Sequence, residues 1–202
     1  MCSNTPVVNV KVFVRNEQCT YCPDVISLVK LDAKISSELK VNLEIISLEH
    51  PEIGKKYTIS EVPTILIGDT IRYVGLPVGL ERNVFINTLK MAAERKTRIS
   101  ETDRKKLMSL KQPVIIKVII TSNCPYCPKV VFMANQLAVA AEGKVISEII
   151  NSTELPHLAE KYRVTAVPTT VINEQVRFQG VPQLGAFIEE IIRKPPVLSY
   201  YV

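Results

Sequence analysis

The sequence predicts an α/β chain built of two tandem modules, each a mixed β-sheet with flanking helices. Two observations carry this. The first is an internal repeat at an offset of 105 residues. Cys19-Thr20-Tyr21-Cys22-Pro23 returns as Cys124-Pro125-Tyr126-Cys127-Pro128, and Val62-Pro63-Thr64 as Val167-Pro168-Thr169. The same offset pairs Pro51 with Pro156, Lys56-Tyr57 with Lys161-Tyr162, Arg72 with Arg177, Gly75 with Gly180 and Pro77 with Pro182. Register kept over so many residues signals a duplicated unit. The second observation is that strand-like and helix-like stretches follow one another in both copies in the order βαβαββα, which makes a mixed sheet with helices on its faces.

The elements follow from composition. Val7 to Val14 is rich in β-branched residues, and Val114 to Ile120 is almost wholly apolar, as a strand covered on both faces requires. Each strand leads to a Cys-x-x-Cys, and helical stretches then run from Val25 to Leu39 and from Val130 to Glu142. Strands follow at Val41–Leu48 and Val145–Ile150. Pro51 and Pro156 suit the first turn of a short helix, where a missing N–H costs nothing. Thr64–Ile67 and Thr169–Ile172 read as strands that turn through Gly68-Asp69 and Asn173-Glu174 into Ile71–Val74 and Val176–Phe178. Closing helices run from about Gly79 to Arg95 and from about Gln183 to Arg193. Between the copies, Ser100-Glu101-Thr102-Asp103 caps a short helix through Leu110 that has no counterpart at the N-terminus. The modules are therefore set at residues 1–97 and 98–202. The tail, Pro195 to Val202, is a surface strap or a frayed end.

Composition narrows the function. The chain has 202 residues, of which 47% are hydrophobic and 22% charged, so a packed core is expected rather than disorder. Net charge is +5, with the basic residues scattered and not interleaved with aromatics. Nucleic-acid binding is therefore not indicated. No apolar run approaches membrane-spanning length and the first residues do not resemble a signal peptide, so no membrane is implied and the expected location is cytoplasmic. Four of the five cysteines fall in Cys-x-x-Cys pairs, which in that compartment points to redox chemistry or metal binding.

A Cys-x-x-Cys that opens a helix places its first sulfur near unpaired backbone N–H groups and the positive end of the helix dipole. Both favour the thiolate. The second sulfur is one turn away, within reach of a disulfide. Cys19 and Cys124 are thus the expected nucleophiles, and Cys22 and Cys127 the resolving thiols, with bridges Cys19–Cys22 and Cys124–Cys127. The sites differ in charge. Asp24 follows Cys22-Pro23 and Lys129 follows Cys127-Pro128, while Glu17 stands where the second copy has Ser122. These charges predict the more reactive thiol at Cys124.

Cys124-Pro125-Tyr126-Cys127 is identical to the glutaredoxin active-site tetrapeptide, and Val-Pro-Thr resembles the thioredoxin-superfamily loop that carries a cis-proline opposite the cysteines. Two such modules in about 200 residues, both with Cys-x-Tyr-Cys, resemble the protein disulfide oxidoreductases of hyperthermophilic archaea and bacteria. The resemblance spans nearly the whole chain. It implies reduction, formation or isomerisation of disulfides in protein substrates, with a thioredoxin-reductase-type flavoprotein as electron donor and no cofactor of the chain's own. It also implies that backbone groups beside Val62-Pro63 and Val167-Pro168 bind extended substrate. Thioredoxin has a buried aspartate six residues before its first cysteine; Phe13 and Val118 stand at those positions here. Glu44 and Glu148, in otherwise apolar strands, are candidate proton-transfer groups, with exposure at a strand edge as the competing reading.

A Cys₄ zinc or iron–sulfur site is the rival reading of the cysteines, but it leaves the repeated Val-Pro-Thr unexplained, so no metal is expected. Cys2 reads as a free thiol, and His50 and His157 share no repeat position. A second functional reading is an electron relay from a reductase to a peroxidase of the peroxiredoxin kind. Tandem modules of that family have lost one cysteine pair, whereas both pairs are present here. A third reading is a non-catalytic binding scaffold.

Overall fold

A computed structural model describes residues 5–15, 19–35 and 39–193. Cys2, Glu17 and the tail from Pro195 to Val202, discussed above, lie outside the described residues. The elements are β1 (Val7–Val14), α1 (Cys22–Ile35), β2 (Lys40–Ser47), α2 (Pro51–Tyr57), β3 (Thr64–Ile67), β4 (Ile71–Val74) and α3 (Glu81–Glu94). Then come α4 (Glu101–Met108), β5 (Val114–Ile120), α5 (Cys127–Ala140), β6 (Val145–Asn151), α6 (Pro156–Lys161), β7 (Thr169–Ile172), β8 (Gln175–Gln179) and α7 (Leu184–Arg193). Order and type agree with the sequence reading. The main difference is that α1 and α5 begin three residues earlier, at the second cysteine of each pair. Pro23 and Pro128 then sit in the first helical turn, where proline is tolerated.

The strands form one eight-stranded sheet in the order β2-β1-β3-β4-β6-β5-β7-β8. Within each module the first two strands are parallel and the last two join antiparallel. The modules meet where β4 pairs with β6 in parallel, Ile71 beside Ser147 through Val74 beside Ile150. Pattern explains why these edges join. All four residues of β4, Ile71-Arg72-Tyr73-Val74, are buried, whereas its repeat mate β8 keeps polar ends and stays largely open to solvent. A strand edge flanked by buried apolar faces is stabilised by pairing; a polar one is tolerated in water.

Strand alternation divides the core between the two sheet faces. Val10, Val12, Tyr73, Ile116, Val118 and Ile149 pack with α1, α3, α5 and α7. Val74, Ile119, Ile150 and Val171 pack with Leu155 and Tyr162 around α6, and Phe13 and Leu66 pack with Ile59 and Tyr57 beside α2. Strand pairing also refines the repeat. Lys11 lies beside Glu44 and Leu66, and Lys117 lies beside Glu148 and Val171. Leu66 and Val171 keep the 105 offset, but the first strands are related by 106 residues and the second by 104. The two glutamates are therefore structural equivalents, which the ungapped repeat concealed.

The connecting helix α4 is capped as its sequence implies: the Asp103 N–H donates to Ser100 Oγ at 3.1 Å. The turn Asn173-Glu174 has positive φ at both residues, as a two-residue hairpin requires.

Candidate dithiol sites and their setting

Each Cys-x-x-Cys bridges the end of a parallel strand and the start of a helix. Cys19 and Cys22 form one disulfide, with Cα atoms 5.5 Å apart, and Cys124 and Cys127 the other, at 5.4 Å. Cys19 is half-buried, Cys22 and Cys124 are buried, and Cys127 is wholly enclosed. At the second site the Cys127 N–H donates to Cys124 Sγ at 3.1 Å, the kind of helix-start donor that favours a thiolate. At the first site the Cys22 N–H points instead to the Cys19 carbonyl at 3.4 Å.

The Val-Pro-Thr loops lie at the same end of the sheet. Thr64 pairs with Phe13 and Thr169 with Ile119, so the prolines just before them stand level with the strand ends that lead to the cysteines. Both Val62–Pro63 and Val167–Pro168 are cis, with half-buried valines and buried prolines. The threonines close these loops: Thr64 Oγ1 donates to the Glu61 carbonyl at 2.7 Å and Thr169 Oγ1 to the Ala166 carbonyl at 2.6 Å. The repeated glycines act on the same loops. Gly75 N–H donates to the Pro63 carbonyl at 2.9 Å and Gly180 N–H to the Pro168 carbonyl at 2.8 Å. Gly75 has φ 101°, and a methyl there would lie 3.0 Å from both Asn151 Cβ and Glu154 Oε2. Tyr21 and Tyr126, exposed between the cysteines, were not singled out by sequence reading, although their repetition inside both motifs was the available signal.

Glu44 and Glu148 lie on the α2/α6 face of the sheet, because their partners Lys11 and Lys117 alternate with Val12 and Val118, which face the cysteine-bearing helices. Glu44 is exposed on the edge strand β2. Glu148 pairs with Arg72 at 3.3 Å across the module seam and with Lys117 at 3.9 Å. Lys117 also donates to Tyr162 Oη at 2.9 Å and Glu174 at 2.6 Å. Burial disfavours the Lys117 charge, but Glu148 and these partners outweigh it and hold the ammonium above its ordinary value. Burial likewise opposes ionisation of Glu174, yet hydrogen bonds from Lys117, Lys161 and Tyr162 bring its carboxyl down to about 2. This geometry corrects the proton-transfer expectation for the two glutamates: the sheet stands between them and α1 and α5. Phe13 is corrected as well. With one residue more before the first cysteine, Val12 is the true counterpart of Val118.

Two acids lie on the cysteine-bearing face instead. Asp32 of α1 accepts from Arg82 of α3 at 2.8 Å. Glu81, in the first turn of α3, is 1% exposed, and neither carboxyl oxygen has a partner among the described residues. Burial pushes its carboxyl up to about 7. The fold thus favours the protonated acid, and this group's contribution to stability is complete at acid pH and lost as pH rises through about 7.

The sites' surroundings predict a difference in reactivity. Asp24 and Lys129 are both exposed, so their opposite charges act through screening solvent. The N–H donor at Cys124 adds to the same bias. In reduced protein, iodoacetamide alkylation followed across pH by peptide mass spectrometry is expected to show a lower midpoint at Cys124 than at Cys19. The reverse order would show that the burial of Cys124 outweighs donor and charge.

No helix among the described residues is long and apolar enough to cross a membrane. The thioredoxin-domain family profile matches the chain twice, at residues 8–84 and 114–193. Over 81 residues, 40% of this chain and 95% of the relative, the sequence is 36% identical to a thioredoxin of Methanocaldococcus jannaschii. Among solved structures, a protein disulfide oxidoreductase from Aeropyrum pernix is 30% identical with a TM-score of 0.84, over 93% of this chain and 85% of that one. The N-terminal domain of the alkylhydroperoxide reductase AhpF from Enterococcus faecalis shares the fold at 19% identity and a TM-score of 0.81, over 93% and 91% of the two chains. With the thioredoxin domain present in both halves, the chain belongs to the thioredoxin-domain family, in the two-module form it shares with the Aeropyrum protein.

Proposed function

We propose that the chain is a thiol–disulfide oxidoreductase acting on protein disulfides through two dithiol sites. The observation that carries this reading is the double occurrence of a disulfide-forming Cys-x-x-Cys at a strand–helix junction, level with a cis-proline loop. In each module the first cysteine attacks a substrate disulfide, giving a mixed disulfide and releasing a substrate thiolate. The second cysteine then attacks the first sulfur, closing the module's own disulfide and freeing the other substrate thiol. Cys19 and Cys124 are the attacking sulfurs, and Cys22 and Cys127 the resolving ones. The backbone at Val62-Pro63 and Val167-Pro168 holds the extended substrate, and exposed Tyr21 and Tyr126 offer apolar contact beside it. A thioredoxin-reductase-type flavoprotein re-reduces both pairs. The division at residues 97/98 draws support from α4, which packs on α5 and α7 of the second module.

The relay reading, with a peroxiredoxin as recipient, draws on the fold shared with AhpF. The presence of both dithiol pairs favours the broader activity. Trapping tests the assignment. Serine at Cys22 and Cys127 leaves the attacking sulfurs unresolved, so mixed disulfides with an oxidised protein substrate accumulate as thiol-cleavable adducts. Serine at Cys19 and Cys124 leaves none. Adduct in the second variant alone would reverse the roles, equal adduct in both would show that either sulfur attacks, and none in either would refute the reading.

A further inference from the structure

We infer that Leu80, carried by the first module, is a substrate-contact residue of the second dithiol site, where it selects protein segments with apolar residues beside the disulfide. This deepens the proposed dithiol function and rests on it.

The turn that joins β4 to α3 reaches out of its own module. β4 lies two strands from β5 in the sheet, with β6 between them. At about 4.8 Å per strand, the turn must cross roughly 10 Å over the end of β6 to meet the loop that follows β5. Polar bonds mark its course. The Leu76 N–H donates to both carboxylate oxygens of Glu154, in the loop after β6, at 3.2 and 3.0 Å. Asn151, the last residue of β6, donates from its side-chain amide to Glu154 Oε1 at 2.7 Å and to Ser122 Oγ at 3.1 Å. The far end of the turn closes on the second site: a methyl on Gly79 would lie 2.7 Å from the Ser122 carbonyl, two residues before Cys124. Leu80 comes next in the chain. Its Cα is therefore at most about 18 Å from that of Cys124, a span that five or six extended residues cover.

The turn is anchored at one end and open at the other. Gly75 and Pro77 are buried and Val78 is half-buried, whereas Leu80 is 50% exposed. A single exposed leucine is ordinary; this one stands on a backbone tied down beside a dithiol. The cis-proline loop at Val167-Pro168 leads into β7, on the other side of β5. Cys124 is thus flanked by half-buried Val167 on one side and by Leu80 on the other, with Tyr126 exposed between the cysteines. A substrate disulfide brings two chain segments to the site. The one whose sulfur is attacked lies along the cis-proline loop, and the leaving one extends over the flank of Leu80, where apolar side chains and the leucine shed water together. Charged groups on this flank are engaged elsewhere, Arg82 with Asp32 and Glu154 with Leu76 and Asn151. The first site has no counterpart. There β2, beside β1, is the edge of the sheet, and among the described residues no further strand sends a turn across its end.

The test uses the full chain with Cys19 and Cys22 replaced by serine, reduced and mixed with excess synthetic peptide disulfide. Two disulfide-linked peptide dimers are compared. One has leucines on both sides of its cysteine, the other has serines there, and both carry lysine at each end. The dithiol closes to Cys124–Cys127 while each dimer takes up its two electrons and yields a pair of peptide thiols, which chromatography measures. The parent is expected to react faster with the leucine dimer by about fivefold to twentyfold. Leu80→Ser should remove most of that preference by slowing the leucine dimer alone, and Leu80→Met should keep it. Bis(2-hydroxyethyl) disulfide, too small to span the distance to Leu80, should react equally with the parent and both variants. In the converse background, with serine at Cys124 and Cys127, Leu80→Ser should leave both peptide rates unchanged. A parent without preference, a preference that survives Leu80→Ser, or an equal loss with the small disulfide or at the first site overturns the assignment. If the parent reduces neither the dimers nor the small disulfide, the dithiol reading itself fails.

Discussion

Serine at both Cys19 and Cys124 is expected to lower insulin-disulfide reduction by roughly a thousandfold or more, because a hydroxyl is not ionised near neutral pH and cannot take the place of a thiolate nucleophile. The single variants are the informative ones. The two sites sit in separate modules, each with its own cis-proline loop and its own disulfide. With dithiothreitol as reductant, activity lost in Cys19→Ser should be that of the first site, and activity lost in Cys124→Ser that of the second, the two adding up to the parent rate. Turbidity of precipitating insulin B chain measures this. If either single variant abolishes the reaction, the sites work in series and not in parallel. If the double variant keeps its activity, the cysteines are not the reacting groups. Were the protein a binding scaffold, partner capture would persist in every variant and no turnover would be seen in the parent.

The second large effect is on stability. Glu148→Gln removes the charge that faces Arg72 and Lys117, whose side chains are only 7% and 12% exposed. Arg72 keeps its bond to the Tyr57 carbonyl, and Lys117 keeps Glu174, yet two cations remain close together with less compensation. Breaking a buried ion pair from one side costs about 3–5 kcal/mol; with these residual partners about 2–4 kcal/mol is expected, read as a shift in urea midpoint. Glu44→Gln, at the equivalent place on an exposed edge, should stay within about 0.5 kcal/mol. Below the unfolding transition, Glu148→Gln should reduce insulin at the parent rate with an unchanged pH profile. A specific loss of turnover in the folded variant would return Glu148 to proton transfer.

Much of this was legible along the chain because the informative signals are local. A Cys-x-x-Cys carries its disulfide within one turn, Val-Pro-Thr carries its loop, and period-two and helical patterns set the element order. Ser100 and Asn173-Glu174 specify a cap and a turn within a few residues. The repeat at 105 turned these local signals into two modules without any tertiary knowledge.

The pairing of distant segments was decided only by the tertiary structure. Loops one residue longer or shorter shift the strands to 106 and 104, and a one-residue shift moves a side chain to the other sheet face. That is why Phe13 misrepresented the position held by Val12, and why Glu44 and Glu148 do not fall at the common offset. It also explains why their separation from the cysteine-bearing helices could not be read in advance. The fusion of two sheets at β4 and β6 depends on what covers each edge, and the burial of Glu81 depends on elements brought against α3 from elsewhere in the chain. An acid at the start of an amphipathic helix reads in sequence as a solvated charge. Only the tertiary packing around the start of α3 removes its water.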